Sequence, residues 1–152
     1  MENRLKSKNT NNPDVRTAIQ HLQKAIAAGG ADPKLLALVH LRVSQINGCS
    51  ACVHASVAGG KKVGDTDERL HSAAAWREAP FHTDAERVAL ALAEAATRLQ
   101  DGAQGVIDEI REEINAHFTE EQIGAINLKI ASTNFFNRIN RTIKEPAGKT
   151  WG

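Results

Sequence analysis

Asp32-Pro33-Lys34-Leu35-Leu36-Ala37-Leu38-Val39-His40-Leu41-Arg42-Val43-Ser44-Gln45-Ile46-Asn47-Gly48-Cys49-Ser50-Ala51-Cys52 is the stretch whose reading sets the fold class of this chain. Asp32 can cap a helix, Pro33 fits its first position, and Leu35, Leu36, Val39, Val43 and Ile46 recur at helical spacing. Asn47-Gly48 stops that helix, and the two cysteines follow at once. A further helix is expected from about Ser50 to Val63, with Gly64 as terminator and Gly59-Gly60 as a weak middle.

Working outward, the same signals repeat. Asn12-Pro13-Asp14 opens a first helix carrying Val15, Ala18, Ile19, Leu22 and Ile26, closed by Gly29-Gly30. Asp65-Thr66-Asp67-Glu68 opens a fourth, shorter helix through Leu70, Ala73, Ala74 and Trp76 before Pro80 ends it. Thr83-Asp84-Ala85-Glu86 is a capping box leading a fifth helix to about Gln100, and a sixth spans roughly Gly105 to His117. Thr119-Glu120-Glu121-Gln122 is a second capping box, launching a long helix to about Ile143. No segment alternates with period two, so the fold class is all-α with about seven helices. Residues 12–152 read as one helical domain, preceded by a polar tail over residues 1–11 that carries no apolar periodicity and is expected to be disordered.

Composition narrows the function classes. The 152 residues are 41% hydrophobic and 24% charged, as in ordinary globular proteins, and 19 Lys+Arg against 18 Asp+Glu leave a charge of +1. Such a balance gives no general attraction to phosphate backbones or anionic lipid, so neither nucleic acid nor a membrane is the expected partner. No apolar run approaches the roughly 20 residues of a spanning helix, and Met1-Glu2-Asn3-Arg4 does not read as a signal peptide. A cytoplasmic location is expected, and there a C-x-x-C pair points to redox work more than to a structural staple.

Cys49 and Cys52 lie at a helix start, where unsatisfied backbone N–H groups lower a thiol pKa. Three residues apart on a helix, they share one face and can form and break a disulfide with little backbone movement. Two buried inert cysteines and half of a zinc site are the other readings. Zinc is disfavoured because a closed site needs about four ligands and no second C-x-x-C or H-x₃₋₅-H occurs. Neither a metal nor a cofactor is expected.

At about 100° per residue, Ser56 lies about 40° from Cys52 and about 20° from Cys49, on the face of both sulfurs. His54 lies about 140° and about 200° away from them and reads first as a surface or packing histidine. His40, on the preceding helix, is a second histidine that could return toward the pair. Glu86 reads as the third residue of its capping box, and Glu94 as a solvated or interface charge. Trp76, Phe81, Phe135 and Phe136 read as core or interface residues.

Ile46-Asn47-Gly48-Cys49-Ser50-Ala51-Cys52, with Leu41-Arg42-Val43-Ser44-Gln45 before it, resembles the alkylhydroperoxidase D-like, carboxymuconolactone decarboxylase family. The likeness continues through Ala73-Ala74-Ala75-Trp76-Arg77-Glu78-Ala79-Pro80, Phe81 to Thr97 and Thr133 to Asn140. It implies an all-helical protein assembling as a homo-oligomer, a trimer or hexamer. It also implies a thiol-dependent peroxidase or disulfide reductase acting on a peroxide or disulfide substrate and regenerated by an external thiol reductant, which could itself be a protein. Some members instead decarboxylate a lactone, and a non-catalytic oligomer binding a small molecule or protein is a further alternative.

The family pattern also implies Cys52 as nucleophile and Cys49 as resolver. It pairs them with a His four residues after the second cysteine and a Glu twelve before the first. Here those positions hold Ser56 and Ala37. Without that proton relay the expected peroxidase is weak unless His40 or His54 supplies a base.

Overall fold

In a computed structural model of the chain, residues 12–100 and 107–148 are described. They form seven α-helices: α1 (Pro13–Ala28), α2 (Pro33–Ile46), α3 (Ser50–Lys62), α4 (Asp67–Ser72), α5 (Asp84–Thr97), α6 (Asp108–His117) and α7 (Glu120–Ile143). No strand occurs among the described residues. The tail expected over residues 1–11 and the expected start of the sixth helix at Gly105 lie outside them.

The expected caps are present. Asn12 accepts from the Val15 N–H and Asp32 from the Lys34 N–H, with Pro13 and Pro33 in the first turns. Thr83/Glu86 and Thr119/Gln122 both form reciprocal capping boxes. The fourth helix is shorter than expected. It loosens into a 3₁₀ turn at Ala73–Ala75, and Trp76 follows in a bend. Arg87 stabilises that bend from α5: its guanidinium donates to the carbonyls of Trp76 and Arg77, both at 3.0 Å, and also to that of Ala79.

α2 is the central element. Leu35, Val39 and Val43 face a core completed by Ile26, Val88, Ala89, Leu92, Ile114, Ile126 and Ile130. Leu38 and Leu41 face a second cluster with Leu70, Ala73, Trp76 and Leu90. Burying a side chain of this kind stabilises by roughly 1.5–3 kcal/mol, so a helix apolar on two sides is fixed between two layers. α3 packs on α2 more extensively than any other pair of helices packs. It stays helical through Gly59-Gly60, and the close approach of α4 accounts for the second glycine: a Cβ on Gly60 would lie 2.7 Å from Leu70 Cδ2.

α7, 24 residues long, spans about 36 Å and packs on α1, α2, α3 and α5. Its inward face is unusually polar. Ser132, Thr133, Asn134, Asn137 and Asn140 are all buried.

Candidate active site at the start of α3

The turn between α2 and α3 places the cysteines. The Gly48 N–H bonds to Gln45 O at 3.1 Å and the Cys49 N–H to Ser44 O at 3.0 Å, closing α2. Gly48 takes φ +63°, which a side chain disfavours, and a Cβ there would also meet Arg141 Nη1 at 2.9 Å. Arg141, from α7, donates to the carbonyl of Asn47 at 2.6 Å and holds the turn against the bundle.

Cys49 is the N-cap of α3, with its Sγ accepting the Cys52 N–H at 3.4 Å. Cys49 and Cys52 are joined as a disulfide with their Cα atoms 5.3 Å apart. The two residues are 2% and 4% exposed, but Gly48 and Ser50 on either side of Cys49 are exposed, so the bond lies just beneath the surface. From the other side, Asn140 Nδ2 of α7 donates to Cys52 Sγ at 3.3 Å. Its Oδ1 is buried without a partner.

Ser56 is buried, and its hydroxyl donates to the Cys52 carbonyl at 2.6 Å, the local i−4 bond of a helical serine. His54 is exposed, as its angle on the helix predicts. His40 is half-buried on α2; burial pushes its pKa down to about 3, Lys129 adds to the shift, and the imidazole is neutral at physiological pH. Burial likewise lowers the Lys129 pKa. Neither histidine hydrogen-bonds a sulfur among the described residues. Ala37, at the position of the family's glutamate, is half-buried and offers no proton acceptor. No group of three or more His, Cys, Asp or Glu suited to holding a metal occurs among the described residues.

Sequence reasoning missed two polar features. Glu94 is not a solvated or interface charge. It is 5% exposed and receives Arg42 Nε at 2.8 Å, Arg42 Nη2 at 2.6 Å, Arg77 Nη1 at 2.6 Å and Trp76 Nε1 at 3.0 Å. Burial alone would raise its pKa, but the hydrogen bonds from Trp76, Arg77 and Arg42 together hold it below the usual carboxylate value. The second feature is an amide ladder. Asn47 Nδ2 reaches both Asn134 Oδ1 and Asn137 Oδ1 at 2.9 Å, and Asn137 Nδ2 reaches Ser44 Oγ at 3.2 Å. Asn134, Asn137 and Asn140, each three apart, share one face of α7, and that spacing was a readable signal.

The chain matches the carboxymuconolactone decarboxylase family model over residues 13–95. It is 35% identical over 103 residues to the uncharacterized protein YdfG of Bacillus subtilis, covering 68% of this chain and 69% of that one. To the uncharacterized protein YnjA of Escherichia coli it is 32% identical over 117 residues, covering 76% of this chain but only 62% of YnjA. Among solved structures it is similar to a protein of unknown function from Agrobacterium tumefaciens, there named as a candidate antioxidant defence protein, AhpD. The TM-score is 0.87 at 28% identity, over 98% of this chain and all of that one. With an AhpD-like fold of seven helices and a C-x-x-C at the start of α3, the chain belongs to the carboxymuconolactone decarboxylase family.

Proposed function

We propose that the protein is a dithiol oxidoreductase in which Cys49 and Cys52 reduce a peroxide or a disulfide. The observation that carries this reading is the Cys49–Cys52 disulfide at the first turn of α3, with an N–H donor at each sulfur. Hydrogen bonds from N–H groups favour the thiolate, the form that attacks. In the peroxide reaction the Cys52 thiolate attacks one peroxide oxygen. The O–O bond breaks, and the departing oxygen leaves as an alcohol or water after taking a proton. The resulting Cys52 sulfenic acid is attacked by Cys49, releasing water and forming the disulfide. An external dithiol then reduces the bond and is itself oxidised.

With Ala37 and Ser56 replacing the family's relay, proton transfer is unassisted, and the peroxide step is slower by about 10²–10⁴-fold than with a positioned base. Disulfide exchange between preformed thiolates suffers less from this loss. The same two substitutions favour the second reading, a non-catalytic oligomer that keeps the fold. A lactone decarboxylase, which needs no dithiol, is the weakest of the three.

The test is consumption of hydrogen peroxide, and separately of a small disulfide, with dithiothreitol as reductant. Cys52→Ser and Cys49→Ser serve as controls. Turnover by the parent that both variants lose supports the oxidoreductase. Parent rates equal to those of the variants in both assays leave the binding protein standing.

The same reading places the protein in the cytoplasm, where thiol reductants are available. No helix among the described residues is long and apolar enough to cross a membrane. The family likeness and the apolar faces left uncovered support a homo-oligomer, a trimer or hexamer, with Leu128 and Phe135, both exposed and seven residues apart on α7, as part of the contact. Light scattering tests this: a monomer across micromolar concentrations removes it.

A further inference from the structure

We infer that Asn140 is a catalytic residue of this dithiol. Its side-chain amide stabilises Cys52 as a thiolate and thereby makes Cys52 the sulfur that departs when a reductant opens the disulfide at Cys49. The inference rests on the oxidoreductase reading above.

Asn140 is 7% exposed, and its side chain makes one hydrogen bond, Nδ2 to Cys52 Sγ at 3.3 Å. Its Oδ1 is buried without a partner. It differs in this from Asn134 and Asn137, its neighbours along the same helix face, which bond to Asn47, Ser44 and Thr97. A disulfide sulfur is a weak acceptor, and an orphaned buried carbonyl costs about 1–3 kcal/mol. An apolar residue would satisfy packing here without that cost. The arrangement is favourable when the sulfur is charged, because a hydrogen bond to an ion is roughly twice as strong as one between neutral groups.

Several charged groups on helices packed against α3 are engaged elsewhere. Arg42 of α2 is held by Glu94, and Arg69 of α4 by Asp65 and Glu86. Asp67 of α4 pairs with Lys61 of α3 itself. On α7, Arg138 donates to Asn134 and Arg141 to the Asn47 carbonyl. His40 stays neutral, with Lys129 as the charge it senses. Among the described residues, Asn140 is the side chain that hydrogen-bonds the Cys52 sulfur.

An external thiolate attacks Cys49 Sγ, a new sulfur–sulfur bond forms to Cys49, and the Cys49–Cys52 bond breaks with its electron pair passing to Cys52. The Asn140 amide meets that charge as it develops, in place of the imidazole that Ser56 does not provide. A second thiolate then reduces the mixed disulfide.

The test uses Cys49→Ser protein, in which Cys52 is the only thiol, followed by ultraviolet thiolate absorbance and iodoacetamide alkylation across pH. Asn140→Leu should raise the Cys52 pKa by about one unit and slow alkylation at neutral pH about three- to fourfold, the loss of thiolate being partly offset by its greater nucleophilicity. Asn140→Ser, which keeps a donor, should lie between the two. An unchanged pKa in both variants, with parental circular dichroism, overturns the inference. Should Asn140→Leu fail to fold, the side-chain ¹⁵N resonance of intact Asn140 decides: it must titrate with Cys52, and a flat signal overturns the inference. In the oxidised parent, acid-quenched reaction with a small thiol should place the adduct on Cys49; an adduct on Cys52 overturns the leaving-group assignment. None of these measurements needs peroxide turnover, so a null peroxide or disulfide assay rejects the oxidoreductase reading by itself.

Discussion

Arg42 and Glu94, 52 residues apart in the chain, meet through two contacts of 2.8 and 2.6 Å and tie α2 to α5. Their side chains are only 11% and 6% exposed, so each neutralises a charge the other could not bury alone. Glu94→Ala is expected to destabilise the fold by about 3 kcal/mol, chiefly through the Arg42 guanidinium left without its partner. Urea unfolding measures this. An Arg42→Met, Glu94→Leu double variant should recover part of the loss, and a double variant less stable than Glu94→Ala alone would contradict the assignment.

Gly59 and Gly60 are adjacent but should respond oppositely to alanine. A Cβ on Gly59 meets nothing within 4 Å, so Gly59→Ala gains helix propensity of about 1 kcal/mol, roughly 2–4 °C in Tm. A Cβ on Gly60 meets Leu70, which is 1% exposed and has little room to yield. Overpacking costs about 1–3 kcal/mol, so Gly60→Ala should be neutral to destabilising by about 2 kcal/mol. Equal shifts in the two melting curves would show that α4 is not packed on α3 as described.

His40 gives the protein a pH dependence of determinate sign. Its pKa falls from an ordinary 6.5 to about 3 on folding, so below pH 6.5 the unfolded chain takes a proton that the folded one refuses. Stability therefore declines as the pH drops from 6.5 toward 3. His40→Leu removes that contribution, and its urea midpoint relative to the parent should improve between about pH 7 and about pH 4.5. A constant difference between the two proteins across that window would mean that His40 protonates freely in the fold.

Restoring a relay should raise activity at a cost in stability. Ser56→His puts an imidazole one turn from Cys52, and Ala37→Glu adds a carboxylate on α2 to orient it. Together they should raise the peroxide rate by at least about tenfold, toward the 10²–10⁴ that a positioned base contributes, and by more than the two single effects combined. Ser56 is 1% exposed, so the larger ring should destabilise by about 1–3 kcal/mol. Stopped-flow peroxide kinetics across pH check the rate, and a double variant no faster than the parent refutes the relay argument.

The fold was legible where local signals and burial agree. Capped, periodic segments such as Pro33–Ile46 and Glu120–Ile143 have the bounds the sequence suggests, because their caps satisfy backbone groups and their stripes meet a core. The fourth helix was overextended because Ala73-Ala74-Ala75 has high helical propensity, whereas the Arg87 bonds to the following carbonyls favour a bend. The cysteine pair and the outward angle of His54 followed from spacing alone. Glu94 and Asn140 did not, because the partners that give them meaning come from helices distant in sequence. Arg42 is 52 positions from Glu94, and Cys52 is 88 from Asn140.

The placement of both cysteines within one hydrogen-bonded turn sets how oxidation could be communicated. Cys49 already caps the helix that Cys52 enters, and α2, α4 and α7 hold that helix from outside the turn. Making or breaking the sulfur–sulfur bond leaves no long loop to close and no segment to release. The two oxidation states are therefore expected to share one molecular shape, so that a partner distinguishing them reads the sulfur atoms themselves, by touch or by chemistry, rather than a displaced surface.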